Sequence, residues 1–306
     1  MPKVSVIINC YNGEEFLTET LETVKNQTFK DYELIFWDNC STDNTPNIAK
    51  SFDERLRYFR GEELIPLGQA RNKALEQVKG EYIAFIDSDD LWDETKLEKE
   101  VKVMESDASI GMVLSNYKRF NMLSGETDIY NPNAEDKTME FSEFVCTYDF
   151  CLSTFLIRKS ALEDLEHYFD NRLKYAEEYE LFIRIARKWK AVYLKDALTT
   201  YRIHTNMNTL KLQDRMAAEY EITLDNLRKR EEDFDEKFPE IVKRISYLRD
   251  FSEAKCILPK GENKRVRQLM KPHWNYNVRA KCFYLVACMP GFVSKKIYSM
   301  FYKRRI

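Results

Sequence analysis

Gly80-Glu81-Tyr82-Ile83-Ala84-Phe85-Ile86-Asp87-Ser88-Asp89-Asp90 is the stretch from which the rest of the chain is read. The run from Tyr82 to Ile86 has the length and the aromatic and β-branched content of a strand buried on both faces. Three carboxylates follow within four residues. Carboxylates this close repel one another, and the repulsion destabilises the fold unless a cation lies there. A hard divalent cation meets that need, because Mg²⁺ and Mn²⁺ favour one or two carboxylates together with a diphosphate. The same residues suit a solvated turn capping a helix that starts near Trp92, since Asp is common at helix N-termini. Taken alone, the turn leaves both readings open.

Upstream, the pattern repeats. Val4-Ser5-Val6-Ile7-Ile8 reads as a buried strand, and Asn9-Cys10-Tyr11-Asn12 follows it. A helical face carries Phe16, Leu17, Thr20, Leu21 and Val24. Tyr32-Glu33-Leu34-Ile35-Phe36-Trp37 reads as a second strand ending at Asp38-Asn39, with Ser41, Thr42 and Asp43 as helix-cap candidates. Leu56-Arg57-Tyr58-Phe59 is a third strand, and Gly68 to Val78 is helical and contains Arg71-Asn72. Alternation of strand and helix predicts right-handed crossovers and a parallel sheet. Ligands of such sheets lie beyond the carboxyl ends of the strands. The clusters at Asn9–Asn12, Asp38-Asn39 and Asp87–Asp90 are therefore expected at one edge.

Downstream, Met112-Val113-Leu114 and Thr154-Phe155-Leu156-Ile157 read as strands, Ala176 to Lys188 as a helix, and Leu198 to Ile203 as a last extended segment. Beyond about Lys211 the chain is helical and highly charged. The 306 residues carry a formal charge of −3, which hides a split. The stretch from Asn263 to Ile306 holds eleven basic residues and no acid, so the preceding 262 carry −14 against +11. Seven scattered cysteines without a CxxC pair predict reduced thiols rather than a zinc ribbon or a disulfide framework. Met1 to Val4 leads straight into a strand, so no secretory leader is expected. No window of about 18 apolar residues predicts a spanning helix. The absence of GxGxxG after the first strand disfavours a dinucleotide-binding dehydrogenase. The acidic body and the lack of a recognition motif disfavour a nucleic-acid binder.

The ordered set Val4–Asn12, Gln27-Thr28-Phe29, Trp37–Thr45, Ala70-Arg71-Asn72 and Gly80–Asp90 resembles the family 2 inverting glycosyltransferases, of the bacterial glycan-biosynthesis type. Weaker matches at Glu177-Glu178-Tyr179-Glu180-Leu181 and Tyr201-Arg202-Ile203-His204 carry the resemblance to about residue 205. It implies an α/β chain of the GT-A fold, a Rossmann-like mixed sheet flanked by helices, with a helical C-terminal extension. The expected organisation is a GT-A domain over 1–210 and the extension over 211–306. Residues 1–115 of the domain would bind the nucleotide-sugar, and 116–210 would serve the acceptor.

The resemblance also implies roles. Asn9, Tyr11, Asp38, Asn39, Arg71, Asp87 and Ser88 would hold a nucleotide-diphospho-sugar, with a UDP-sugar as the expected donor. Many members carry Asp-Asp where this chain has Asp38-Asn39, which leaves the nucleotide open. Asp89, with Asp87 and His204, would hold Mn²⁺ or Mg²⁺. Glu178, or its neighbour Glu177, would be the catalytic base, where the family carries a Glu-Asp pair. The same glutamates also suit an ordinary acidic first helical turn. The expected activity moves a sugar to a hydroxyl of a glycan or lipid-linked glycan. The alternative is a catalytically silent nucleotide-sugar-binding scaffold. In the tail, Phe283–Met289, Phe292, Val293, Ile297, Met300 and Phe301 are interleaved with Lys and Arg, a pattern of interfacial membrane contact. A cytoplasmic protein in peripheral contact with the inner face of the cell membrane through residues 279–306 is expected. A C-terminal helix packed on the body, or a contact in a homo-oligomer, is the competing reading.

Overall fold

The computed structural model describes residues 1–147, 149–207 and 213–302. They form two compact units, Met1–Leu173 with Glu177–Ile203, and Lys174–Ala176 with His204–Ile306. The expected division between residues 210 and 211 falls outside the described residues, as do Lys303, Arg304 and Arg305.

The first unit runs β1 (Val4–Cys10), α1 (Leu17–Lys25), β2 (Tyr32–Asp38), α2 (Thr45–Phe52), β3 (Leu56–Arg60), α3 (Leu67–Leu75), β4 (Tyr82–Phe85), β5 (Leu91–Trp92) and α4 (Lys96–Ser106). It continues with β6 (Ile110–Asn121), β7 (Thr127–Ile129), β8 (Lys137–Met139), α5 (Phe141–Thr147), β9 (Phe155–Arg158), α6 (Lys159–Glu163), α7 (Glu177–Lys188) and β10 (Lys190–Ile203). One mixed sheet has the order β3-β2-β1-β4-β9-β6-β10-β5, with β7 on β6 and β8 on β10. β1 pairs in parallel with β2 and with β4, and β2 with β3. β9 is antiparallel to β4 and β6, which is where the sheet becomes mixed.

The apolar pattern explains the core. Val4, Val6, Ile8 and Cys10 alternate along β1 onto the face covered by Leu17, Leu21 and Val24 of α1, joined by Leu34 and Phe36 of β2 and by Leu97, Val101 and Met104 of α4. The period of two in a strand meets the i, i+4, i+7 spacing of a helix.

Three expectations change. No helix starts near Trp92: Leu91 and Trp92 pair with Thr200 and Thr199 of β10, the Trp92 indole donates to the Ser153 carbonyl at 2.8 Å, and α4 begins at Lys96. β10 begins at Lys190 rather than Leu198, because Ala191–Leu194 continue the pairing with β6. α3 ends at Leu75 rather than Val78, where the N–H groups of Gln77 and Val78 turn to carbonyls three residues back.

The second unit is helical: α8 (Met216–Arg230), α9 (Phe234–Lys237), α10 (Pro239–Ile257), α11 (Asn263–Met270), α12 (Val278–Ala287) and α13 (Gly291–Tyr302). Ala254, Leu258, Val266, Leu269, Met270, Phe283 and Ala287 form its core. Asn277 caps α12, its Oδ1 accepting the Ala280 N–H at 2.8 Å, and Arg267 closes the other end on the Ala287 carbonyl at 2.6 Å. Among the described residues, no helix is long and apolar enough to cross a membrane. Among the described residues, no two cysteines form a disulfide.

Candidate active site

Because β1 lies between β2 and β4 with all three parallel, their carboxyl ends share one edge. Asn9 to Asn12, Asp38-Asn39 and Asp87–Asp90 are brought together there. The β1–α1 and β2–α2 loops are laced to each other. The Asn12 N–H donates to Ser41 Oγ at 3.0 Å, the Gly13 N–H to Thr45 Oγ1 at 2.9 Å, and the Thr42 N–H to Asn12 Oδ1 at 2.8 Å. Asn12 and Cys40 hold positive φ values of 53° and 68°, backbone strain concentrated at the two loops of this edge.

The acidic turn is held by its backbone. Thr20 Oγ1 lies 3.0 Å from the Ser88 carbonyl and 2.9 Å from that of Asp90. The buried Arg202 guanidinium donates to the Asp89 carbonyl and, at 2.5 Å, to Glu19. Ser153 Oγ accepts the Asp87 N–H at 3.0 Å and donates to Asp90 Oδ2 at 2.6 Å, while the Arg202 N–H reaches Asp90 Oδ1 at 3.2 Å. The three carboxylates are therefore not equivalent. Asp90 is buried, and burial, with the charges of Asp89 and Asp87 added, pushes its carboxyl well above the usual range. It is part of the framework. Asp87 and Asp89 are partly exposed. Burial raises the Asp87 carboxyl, the Arg71 cation opposes this, and the Asp89 charge raises it further. Two accessible carboxylates whose repulsion a cation would relieve form an oxygen donor set that fits a hard divalent ion.

Asp38 is fully buried and already engaged. Oδ1 accepts the Ser41 N–H at 2.7 Å, and Oδ2 accepts from the Tyr58 hydroxyl at 2.5 Å and from Arg60. The Asn39 amide donates to the Ile65 carbonyl at 2.7 Å. Asp38 is therefore already bonded to three protein groups. Arg60, whose side chain is 42% exposed, is the exposed partner. Tyr11, 48% exposed, presents a ring at the end of β1. The Asn9 amide nitrogen is buried without a hydrogen-bond partner.

Arg71 is the hub. Its side chain is 3% exposed and rises from α3, which packs on β1 and β2. Nη2 meets Asp87 Oδ1 at 3.1 Å, and Nη1 meets Glu177 Oε1 at 2.7 Å and Glu178 Oε2 at 3.3 Å. One guanidinium thus joins the acidic turn to the first turn of α7. The Glu177 side chain is 2% exposed and that of Glu178 is 24% exposed, so only Glu178 offers its carboxyl to an incoming molecule. Burial, followed by the charge of Glu177, pushes the Glu178 carboxyl up to about 8 against the pull of Arg71.

His204 is the first residue of the second unit after β10, and its Nδ1 accepts the Asn206 N–H at 3.3 Å. A separate group, His167, Asp170 and Glu180, places one donor atom of each within 4.8 Å of the others. Its carboxylates already face cations. Arg184 meets Glu180 at 2.8 Å, and Arg172 meets Asp170 at 2.5 Å, which argues against an added metal there. The sequence reading did not assign Thr20, Ser153, Tyr58, Arg60 or Arg202 to this edge. Thr20, Ser153, Tyr58 and Arg60 carry no local signal, and Arg202, which lies in the Tyr201–His204 match, reaches a residue 113 positions away.

The family model described as "Glycosyl transferase family 2" matches residues 5–166. The putative teichuronic acid biosynthesis glycosyltransferase TuaG of Bacillus subtilis is 42% identical over 106 residues, which span 34% of this chain and 42% of that protein. The UDP-Glc:alpha-D-GlcNAc-diphosphoundecaprenol beta-1,3-glucosyltransferase WfaP of Escherichia coli is 30% identical over 209 residues, 67% of this chain and 78% of that one. Among solved structures, residues 1–349 of S. aureus TarS in complex with UDP-GlcNAc superpose with a TM-score of 0.71 at 18% identity, covering 99% of this chain and 92% of that one. The mannosyltransferase PcManGT of Pyrobaculum calidifontis, in complex with GDP-Man and Mn²⁺, gives 0.64 at 17% identity, covering 99% and 88%. The architecture is the GT-A fold.

Proposed function

The chain belongs to glycosyl transferase family 2, and from that premise we propose that it moves a sugar from a nucleotide-diphosphate donor to a hydroxyl of a glycan or lipid-linked glycan, with inversion. The observation that carries this reading is the Arg71 hub. It sets an accessible glutamate, Glu178, across one guanidinium from the acidic turn. Transfer from a nucleotide-sugar needs these two functions side by side: a place for the diphosphate and a base for the acceptor.

In this reading Tyr11 offers its ring to the base, with Asn9, Asp38 and Asn39 around it. Arg71, Asp87 and Ser88 face the ribose and diphosphate. Asp89 and Asp87 would hold Mn²⁺ or Mg²⁺. When bound, the ion offsets the negative charge that grows on the leaving diphosphate. Glu178 takes the proton of the acceptor hydroxyl as its oxygen attacks the anomeric carbon, and Glu177 keeps Arg71 in place beside it. One in-line displacement inverts that carbon, and no enzyme nucleophile is required. A UDP-sugar is the proposed donor, in keeping with the UDP-sugars named for WfaP and for the TarS complex.

The test is donor turnover by the full chain with Mn²⁺ and UDP-sugars, read beside donor-induced thermal shift. Glu178→Gln should lose about 10²–10⁴-fold in kcat while still binding donor, the range of a general base. Asp89→Ala should lose the metal-dependent thermal shift. Near wild-type turnover in both variants would overturn the assignment.

A further inference from the structure

Helix α12 is apolar on both sides. Ala280, Phe283 and Ala287 point into the core of the helical unit. On the other side Val278 is 74% exposed, Leu285 51% and Met289 40%, with Cys282 also exposed. Trp274, just before the helix, is 37% exposed. Val278, Cys282 and Leu285, spaced by four and three residues, form one stripe of the helix, and Trp274 before it and Met289 after it add exposed apolar surface outside the helix. Phe292, 78% exposed, and Met300, 56% exposed, add apolar surface on α13. A surface helix of a soluble protein normally turns a polar face outward, and a helix apolar all round is a buried one. Trp274 meets the Tyr284 ring of the same unit, with centroids 5.4 Å apart, while Val278 and Leu285 keep most of their surface open.

The charge of the same segment favours one partner. Lys271, Arg279, Lys295 and Lys296 are exposed, and Lys281 lies with its Nζ 5.8 Å from the Trp274 ring centroid. Among the described residues none of these five meets a carboxylate, whereas Arg265 is paired with Glu253. No acid occurs from Asn263 to the end of the chain. Two copies meeting through this face would bring together two segments that hold cations and no acid to offset them. An anionic bilayer matches both features. It takes apolar side chains at the headgroup–acyl boundary, holds Trp at that depth, and presents phosphates to Lys and Arg.

We propose that the outer face of α12, extended by Phe292 and Met300, docks on an anionic lipid surface. Docking leaves Phe283 and Ala287 in the core, so the helical unit need not open. The inference goes beyond the catalytic reading and does not depend on it.

Flotation of the full chain with vesicles, without donor, metal or acceptor, tests it. The chain should float with phosphatidylglycerol-rich vesicles, much less with pure phosphatidylcholine, and less as salt is raised. Lys295→Ala with Lys296→Ala should weaken binding about thirtyfold, from roughly a factor of five per cation. Val278→Ser, Leu285→Ser and Phe292→Ser together should abolish flotation and leave the unfolding midpoint unchanged, since all three side chains are exposed. The proposal is overturned if the wild-type chain stays off anionic vesicles or if both variants float as it does. It is also overturned if light scattering shows a dimer that the serine variant turns into a monomer. Because flotation reads no catalysis, its failure leaves the transferase reading standing, and an inactive enzyme leaves this one standing.

Discussion

Glu177 and Glu178 are adjacent, chemically identical and differently placed. Glu177 is shut in against Arg71, while Glu178 shares the same guanidinium at 3.3 Å and remains partly open. Burial beside a second negative group disfavours the charged form, so the Glu178 carboxyl is raised to about 8. A base works only when deprotonated, so raising its pKa moves the active form to higher pH. The profile of kcat/KM for the donor should therefore rise with pH from about 5, with a midpoint above the ordinary carboxylate range and at most about 8. Asp87→Asn, which removes a nearby negative charge, should move the midpoint down. A wild-type midpoint near 4.5, the ordinary value for a glutamate, would contradict the assigned environment.

Strands β1, β2 and β4 were legible because each is a short apolar run closed by polar residues, and a fully buried parallel strand reads that way. The short antiparallel strands β7 and β8 were not. Their residues are mostly exposed, and no burial imposes an alternation on them. The entry to β4 depends on a contact that no pattern shows. A Cβ on Gly80 would lie 2.6 Å from the Ser5 nitrogen and 2.8 Å from the Val4 carbonyl carbon, both backbone atoms. The Gly80 N–H also donates to Ser5 Oγ at 2.9 Å. Gly80→Ala should lower stability by about 1–3 kcal/mol through overpacking, seen as a lower urea midpoint with an unchanged slope. The acidic turn follows the same logic at its far end. Its position is set by Thr20, Ser153 and Arg202 on three other elements, so sequence proximity could not have assigned those three residues to it.

Over the whole molecule, the split between an acidic body and a basic tail divides into two structural questions. In the tail, Phe283 and Leu285 sit two positions apart in one apolar run, and the fold gives them opposite surroundings. Phe283 is 3% exposed in the helical core, and Leu285 is 51% exposed. Phe283→Ala should cost about 3–5 kcal/mol in the urea transition of the helical unit. Leu285→Ser should stay within about 0.5 kcal/mol, as exposed substitutions do. Equal losses would mean that the two faces of α12 are not divided as described. The interleaving of apolar and basic residues was visible beforehand, but a period of 3.6 does not say which side of a helix finds a core.

The order of strands and helices as far as β4, the three polar clusters at strand ends and the family motifs were all determined by the linear sequence. Each is a local consequence of hydrophobic period and turn chemistry. Tertiary structure alone decided which of the three aspartates in the turn is buried and which two stay partly open. It also decided that Asp38 is tied to Tyr58 and Arg60, and that one arginine joins residues 16 and 107 positions away. Those outcomes depend on desolvation and on partners distant in the chain, and both come into being only when the sheet closes.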